Sequence, residues 1–257
     1  MKKGLYYIAG LVIISSSLFF MASPGVQKNT GTILIGNEGD GFVLMELFTS
    51  QGCSSCPPAD AILEMYAKKN DKRIIPLAFH VDYWNRLGWV DSLSKSDYSD
   101  RQRDYAEKLN AQSYTPQLII NGQTQLVGSD RSEIASIVNK FLNEKASFKI
   151  NIDDIKLLNG NVEVSYHTEG SIEGMNINAA LVQKSVITQI WGGENRGIKL
   201  NNFNVVRDFK TDRLRKPAGN FELNFPKGSS YDNYMMVLFV QDKNNGTIKG
   251  AVSKDCK

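Results

Sequence analysis

The sequence predicts an α/β domain followed by an all-β sandwich. Three observations carry that expectation. Up to about residue 145, strand-type apolar runs alternate with amphipathic helical stretches. After Ser147 the texture changes to short runs separated by Gly, Asn and Pro. A composition of 42% hydrophobic and 22% charged over 257 residues is that of a folded chain long enough for two ordinary domains.

The chain opens with Lys2 and Lys3 ahead of an uncharged apolar stretch from Leu5 to Met21, the layout of an export signal. Its length falls between the usual signal core of about 7–15 residues and the minimum membrane span of roughly 17–25, so residues 1–25 are read as a signal peptide or an N-terminal membrane anchor. A cleavage after Gly25, with Ser23 two positions earlier, fits better than one after Ala22, which has Phe20 where a small side chain is wanted. The expected location is therefore extracytoplasmic, periplasmic or secreted. The formal charge of +3 falls to +1 once Lys2 and Lys3 are lost. Without a basic block the chain lacks the electrostatic footprint of a nucleic-acid binder.

After a linker over 26–40, "GFVLMELFTS" reads as a strand buried on both faces. From Ala59 a helix follows, with Ile62, Leu63, Tyr66 and Ala67 at helical spacing and Pro57 and Pro58 in its first turn. A residue before proline avoids the α region, so Cys56 is placed at the cap and Cys53 on the loop before it. "KRIIPLAFHV" is a second strand. "SKSDYSDRQRDYAEKLN" is a second helix, with Tyr98, Tyr105, Ala106 and Leu109 on one side. "YTPQLIINGQTQLVGSD" reads as a hairpin turned at Asn121-Gly122 by a two-residue loop. Asp130 and Glu133 suggest a capping box for a helix carrying Ile134, Ile137, Val138, Phe141 and Leu142. This first domain is bounded at 41–146. Residues 147–257, with runs such as "FKINI", "VEVSYHTE", "INAALVQ", "VITQI" and "YMMVLFVQD", are expected to form about seven or eight strands of a sandwich of the immunoglobulin-like class.

Cys53-Ser-Ser-Cys56 at the first strand-to-helix turn, with Thr115-Pro116 opening the hairpin, resembles thioredoxin over about 41–145. The blocks "VLMELFTSQGCSSCPPAD", "LAFHVDYWNRLGWVDSLS", "SDRQRDYAEKL" and "YTPQLIINGQTQLVGSD" are similar to those of an exported bacterial thioredoxin-like family, domain of unknown function 1223. The resemblance implies a thioredoxin-like fold and redox chemistry but no substrate. It also implies a buried acid beneath the cysteines, matched by Glu46, and a cis bond before Pro116 that leaves the Thr115 backbone free to guide a peptide.

The cysteine chemistry is argued from position. A thiol reacts as thiolate, and a helix N-terminus favours the anion, so Cys53 is the expected exposed nucleophile and Cys56, one turn in, the resolving thiol. Glu46, flanked by apolar neighbours, is the expected proton acceptor for Cys56. A permanent bridge is the bland alternative, although a four-residue ring restricts little unfolded-state entropy. "FHVDYWNRLGW" places His80 and Asp82 on one face at a strand end, followed by Tyr83, Trp84 and Trp89. Trp84 is assigned to a substrate rim; packing under the loop explains it equally well. His167 lies on a solvent face and is given no role. "GGENRG", Gly192–Gly197, either offers Glu194 and Arg196 to a ligand or is a tight inter-strand loop. Cys256 is expected to be an exposed thiol on a mobile tail.

The leading expectation is a thiol-disulfide oxidoreductase: Cys53, Cys56 and Glu46 catalytic, Thr115, Pro116 and Trp84 at the substrate, protein disulfides or thiols as partners, and no cofactor. The rival is a copper-binding or metallochaperone module using Cys53, Cys56 and His80. A third reading is a non-enzymatic binding protein in which the sandwich docks a partner and the disulfide is structural.

Overall fold

The computed structural model describes Met1 and residues 41–257, so the expected signal or anchor beyond Met1 and the whole linker lie outside the described residues. Strand β1 (Val43–Thr49) is buried at all seven positions, as its unbroken apolar run demands of a strand covered on both faces. It pairs in parallel with β2 (Ile74–His80), from Val43 opposite Ile74 to Thr49 opposite His80. On its other edge β1 pairs antiparallel with β3 (Gln117–Ile120), which turns into β4 (Thr124–Val127). Asn121 and Gly122 both have positive φ, as expected, but Ile120 pairs with Thr124, so the loop has three residues rather than two. The Asn121 side chain explains the tight fit: it accepts from Leu44 N at 2.7 Å and donates to Phe42 O at 3.0 Å, tying the hairpin to the start of β1.

Helix α1 (Pro57–Lys69) buries Ala59, Ile62, Leu63 and Tyr66 on β1, with Ala67 half-buried. Cys56 takes the cap, with an αR backbone despite the proline that follows. Helix α2 (Ser96–Lys108) covers the opposite face through Tyr98 and Tyr105. Helix α3 (Arg131–Leu142) starts at Asp130, whose Oδ1 accepts from Ser132 N and Glu133 N, and buries Ile134, Val138 and Phe141 beside α1.

The immunoglobulin-like sandwich is not what the C-terminal half forms. Its strands are β5 (Lys149–Leu158), β6 (Asn161–Glu169), β7 (Met175–Gln189), β8 (Lys199–Arg213), β9 (Ala218–Asn224), β10 (Tyr234–Asp242) and β11 (Ile248–Asp255). "INAALVQ" and "VITQI" belong to the single long strand β7. Four of the seven strands extend the first sheet, giving one eight-stranded mixed sheet in the order β11-β10-β7-β8-β2-β1-β3-β4. The junction is parallel, Ala78 of β2 opposite Val205 of β8. Strands β5, β6 and β9 form a small antiparallel sheet that packs over β7 and β10 through Val164, Phe221, Leu181 and Leu238. Two facing layers do exist, but one of them is the continuation of the α/β sheet. The expected boundary at 146 and 147 falls between α3 and β5, and the sheet runs across it.

Side chains stitch this junction. Tyr98 Oη donates to Val206 O at 3.1 Å, Asn204 Nδ2 to Pro76 O at 2.9 Å, and Gln51 Nε2 to Asn202 Oδ1 at 3.2 Å. On the α2 face Arg101 makes a two-pronged ion pair with Glu46, at 2.6 and 3.0 Å, and Tyr105 Oη donates to the same carboxylate at 2.5 Å. Gln241 of β10 donates to Tyr105 Oη at 2.9 Å, so this charged group links β1, α2 and β10. The guanidinium is roofed by Phe79, Phe209 and Phe239. No helix among the described residues is long and apolar enough to cross a membrane.

Candidate active site

Where β1 ends, Ser50 turns the chain: its carbonyl accepts from Cys53 N at 3.2 Å and its Oγ from Gly52 N at 3.1 Å. Cys53 and Cys56 are joined as a disulfide, their Cα atoms 5.5 Å apart, at the N-terminus of α1. The bend between them exposes Ser54 and Ser55, yet both cysteines are 0% exposed. The expectation of an exposed Cys53 is thereby corrected.

Three segments close over it. Thr115 Oγ1 donates to Cys53 Sγ at 3.3 Å, and Trp84 Nε1 donates to Thr115 Oγ1 at 2.8 Å. The Thr115-Pro116 bond is cis, as the thioredoxin resemblance implies. Ser55 Oγ lies 3.3 Å from Cys53 Sγ. The third segment comes from the far half of the chain. In "GGENRG", Glu194 Oε2 accepts from Ser54 N at 3.0 Å, and Asn195 Nδ2 donates to both Gln51 O and Cys53 O at 2.9 Å. That contact with Ser54 holds the Glu194 carboxyl below its ordinary value. The loop is therefore a wall of the cysteine site. Its glycines permit this, since a Cβ at Gly192 would collide with the Gly88 carbonyl of the facing loop.

Glu46 is not brought to the cysteines. Side chains alternate along a strand, and Met45 and Leu47 face α1 while Glu46 faces α2 and Arg101. The acid on the cysteine side is Asp60, one helical turn after Cys56. Its amide donates to Cys56 O at 3.1 Å and its Oδ1 accepts from Thr49 Oγ1 at 2.9 Å. Burial raises its pKa to about 6, against the lowering effects of His80 and Thr49.

His80 is fully enclosed, with Nδ1 2.7 Å from Asp91 Oδ2. Asp91 also accepts from Gln51 N and Leu93 N, both at 2.9 Å. Burial opposes the imidazolium, but the Asp91 carboxylate outweighs it by charge and hydrogen bond and holds the His80 pKa above the usual value. Burial likewise works against the Asp91 carboxylate, yet His80 keeps its pKa low. Asp82 does not share the His80 face, because β2 ends at His80 and Asp82 accepts from Ser99 Oγ of α2 at 2.6 Å. His80 Nδ1 is held by Asp91, and among the described residues no group of three His, Cys, Asp or Glu side chains is placed to hold a metal ion. Trp84 is half-buried against the core and supports Thr115 through its Nε1, and Trp89 Nε1 donates to Gln51 Oε1 at 3.2 Å. His167 is exposed and bound to Asp153.

Cys256 is also corrected. It is 0% exposed, its amide donates to Tyr234 O at 3.0 Å, and burial pushes its thiol up to about 11. Asn195, Asp91 and Asp60 are site residues that the sequence did not point to, and Glu194 entered only as one of two readings of its loop. Only "GGENRG" carried a signal, as a polar pair inside a glycine loop.

A cysteine pair bridged at the strand-to-helix turn, facing a cis-proline hairpin on a sheet with parallel strands, defines a thioredoxin-like protein. The chain belongs to the family described as protein of unknown function (DUF1223), whose family model matches residues 44–241. Among solved structures it is similar to protein AGR_C_4864 from Agrobacterium tumefaciens, at 27% identity and a TM-score of 0.63, covering 84% of this chain and 94% of that one. HBP35 of Porphyromonas gingivalis shares the fold at 15% identity and a TM-score of 0.60, covering 86% of this chain and 76% of that one. No curated protein matches the sequence.

Proposed function

We propose that this protein is an extracytoplasmic thiol-disulfide oxidoreductase acting on protein thiols or disulfides. The observation that carries the reading is the hydrogen bond from Thr115 Oγ1 to Cys53 Sγ at the N-terminus of α1. In the reduced protein the same hydroxyl and the positive end of the α1 dipole would stabilise a Cys53 thiolate, the form that attacks. Cys56, behind it at the cap, would then close the disulfide and release the partner.

A polypeptide partner is supported by the rim. Leu87 and Val90 on one loop and Trp191 on the facing loop are exposed, the last two at 71% and 73%, beside the segments that wall the pair. Large apolar side chains left in water around a reactive group suit contact with unfolded or extended chain. The Lys2-Lys3 apolar leader supports an oxidising compartment, where such a pair has work.

The test is a redox titration of the full chain in glutathione buffers, read by thiol labelling. The expected midpoint lies above about −300 mV, the range of reversible pairs. A disulfide that resists reduction across the whole physiological range would make it a staple and remove the proposal.

A further inference from the structure

Ser54 and Ser55, the residues between the cysteines, are small and neutral, so the pair has no charge of its own within the ring. A charge comes instead from the other half of the chain. Glu194 Oε2 accepts from Ser54 N at 3.0 Å, on the amide that joins Ser54 to Cys53, close to the N-terminus of α1. The surrounding loop holds it there. Between β7 and β8 the chain closes on itself, Gly197 N donating to Ile190 O at 2.9 Å and Ile190 N to Ile198 O at 3.0 Å. Asn195, the buried neighbour of Glu194, pins this loop to the carbonyls of Gln51 and Cys53, and Gly192 lies against the Gly88 carbonyl where no side chain would fit. The Glu194 carboxylate is exposed, yet its position beside Cys53 is fixed from both sides.

We infer that Glu194 sets the redox balance of the pair: its carboxylate disfavours a thiolate on Cys53 and so favours the disulfide. The inference deepens the oxidoreductase reading above and makes Glu194 a positioning residue, acting by charge across the Ser54 amide. The positive end of α1 favours an anion beside it, and a second anion at the same place is repelled by the first. Reduction by glutathione consumes two glutathione thiols. The Cys53–Cys56 bond breaks, a glutathione disulfide forms, and two electrons pass to the protein sulfurs. The two thiol protons go to those sulfurs, or one of them to water where Cys53 stays a thiolate. Only in that last state is there a charge at Cys53 for Glu194 to repel. The disulfide and the neutral dithiol carry none.

In acid, where the Cys53 thiol is neutral, removal of the Glu194 charge should therefore leave the balance unchanged. In alkali the same removal stabilises the reduced form and makes the pair more oxidising. The Ser54 hydroxyl, and then its amide, hold the Glu194 carboxyl below its ordinary value, which keeps the charge in place. Other charged side chains on the segments around the pair are Asp60 at the start of α1, His80, Asp82, Arg86 and Asp91 at and beyond the end of β2, and Arg196 in the wall. All of them are common to wild type and a Glu194 variant, so the difference between the two isolates Glu194. Because the carboxylate is exposed, salt should screen its effect.

The test is the redox equilibrium of the full-length protein, wild type and Glu194→Gln, in glutathione and in dithiothreitol buffers across the pH range. Samples are alkylated under denaturing conditions and weighed by mass spectrometry, where the free Cys256 adds the same increment throughout. Glutamine can still accept from Ser54 N, so the variant removes the charge and keeps the contact. In alkali Glu194→Gln should hold about threefold more reduced protein at a given buffer ratio, a potential about 14 mV higher. In acid the two proteins should coincide. Glu194→Lys should move further in the same direction, and about 1 M salt should remove most of the difference. A Glu194→Gln ratio equal to wild type in alkali, a shift toward the disulfide, or a difference of one size at every pH overturns the inference. Reduced wild-type protein that releases no thionitrobenzoate from 5,5′-dithiobis(2-nitrobenzoate) would overturn the oxidoreductase reading instead, while the dithiothreitol equilibrium still decides what Glu194 does to the pair.

Discussion

Asn195 clamps Cys53: its Nδ2 donates to the Cys53 carbonyl at 2.9 Å and, at the same distance, to that of Gln51. A residue of the C-terminal half thus fixes the backbone of the cysteine loop. Replacing Asn195 with Ala takes the side-chain donor from the Gln51 carbonyl and leaves the Cys53 carbonyl only the Cys56 amide, a loss of about 1–3 kcal/mol. Thermal denaturation should register it. Iodoacetamide labelling of Cys53 in the reduced protein should also accelerate, because the wall over it loosens. Unchanged labelling would show that the loop does not control access.

The two cysteines should behave asymmetrically. Cys53→Ser should abolish reaction with disulfides, whereas Cys56→Ser should attack and stall, so that mixed disulfides accumulate in that variant alone on non-reducing gels. Cys256 is enclosed, with its thiol held near 11, so it should neither resolve the adduct nor label before denaturant is added. Equal trapping by both variants would overturn the assignment of roles.

The Arg101–Glu46 pair should matter for stability and not for thiol chemistry. Arg101→Leu strands a buried carboxylate and should cost about 3–5 kcal/mol, while the double variant with Glu46→Gln should recover much of it. Chemical denaturation of the three proteins measures this. Thionitrobenzoate release per folded molecule should match wild type, since the pair lies on the α2 face and the cysteines on the α1 face.

Asp60 gives a pH dependence with a definite sign. Its carboxyl rises from 3.8 to about 6 on folding, so between those values the unfolded chain loses its proton first. The native state then becomes less stable as pH rises across that window, and the cost is complete above it. Asp60→Asn should therefore gain on wild type as pH increases from 4 to 6 and level off beyond. The expected gain is on the order of 1–2 kcal/mol, below what the full shift implies because the carboxylate is partly solvated. A gain that shrank with rising pH in urea denaturation would contradict the burial of this acid.

The first half of the fold was legible because each of its elements is local. The stripe from Ala59 to Tyr66, the Asp130 cap and the Asn121-Gly122 turn all declare themselves within a few residues. The sandwich misreading came from long-range pairing. Strand β6 does alternate as a half-exposed strand should, but "AALV" in β7 and "YMMVLFV" in β10 are unbroken apolar runs, the mark of strands covered on both faces. That mark points to a deep sheet without saying which sheet. In the site, Cys53 and Cys56 were readable from their spacing at the strand-to-helix turn, and Thr115-Pro116 from the resemblance to thioredoxin. Glu46 was misplaced because alternation along β1 does not tell which face receives α1. Asn195 and Glu194 reach the cysteines across more than 130 residues, a closure that no local pattern encodes.

The single Ala78–Val205 junction has a consequence for biosynthesis. Strand β2 has no neighbour on that side until a partner more than a hundred residues downstream has been made. At about 5–20 residues per second, the ribosome leaves this edge open for roughly 6–25 s. During that interval an apolar strand with free backbone N–H and C=O groups is a template for wrong partners. The nascent chain therefore needs a holdase, or must be kept unfolded, until β8 is complete.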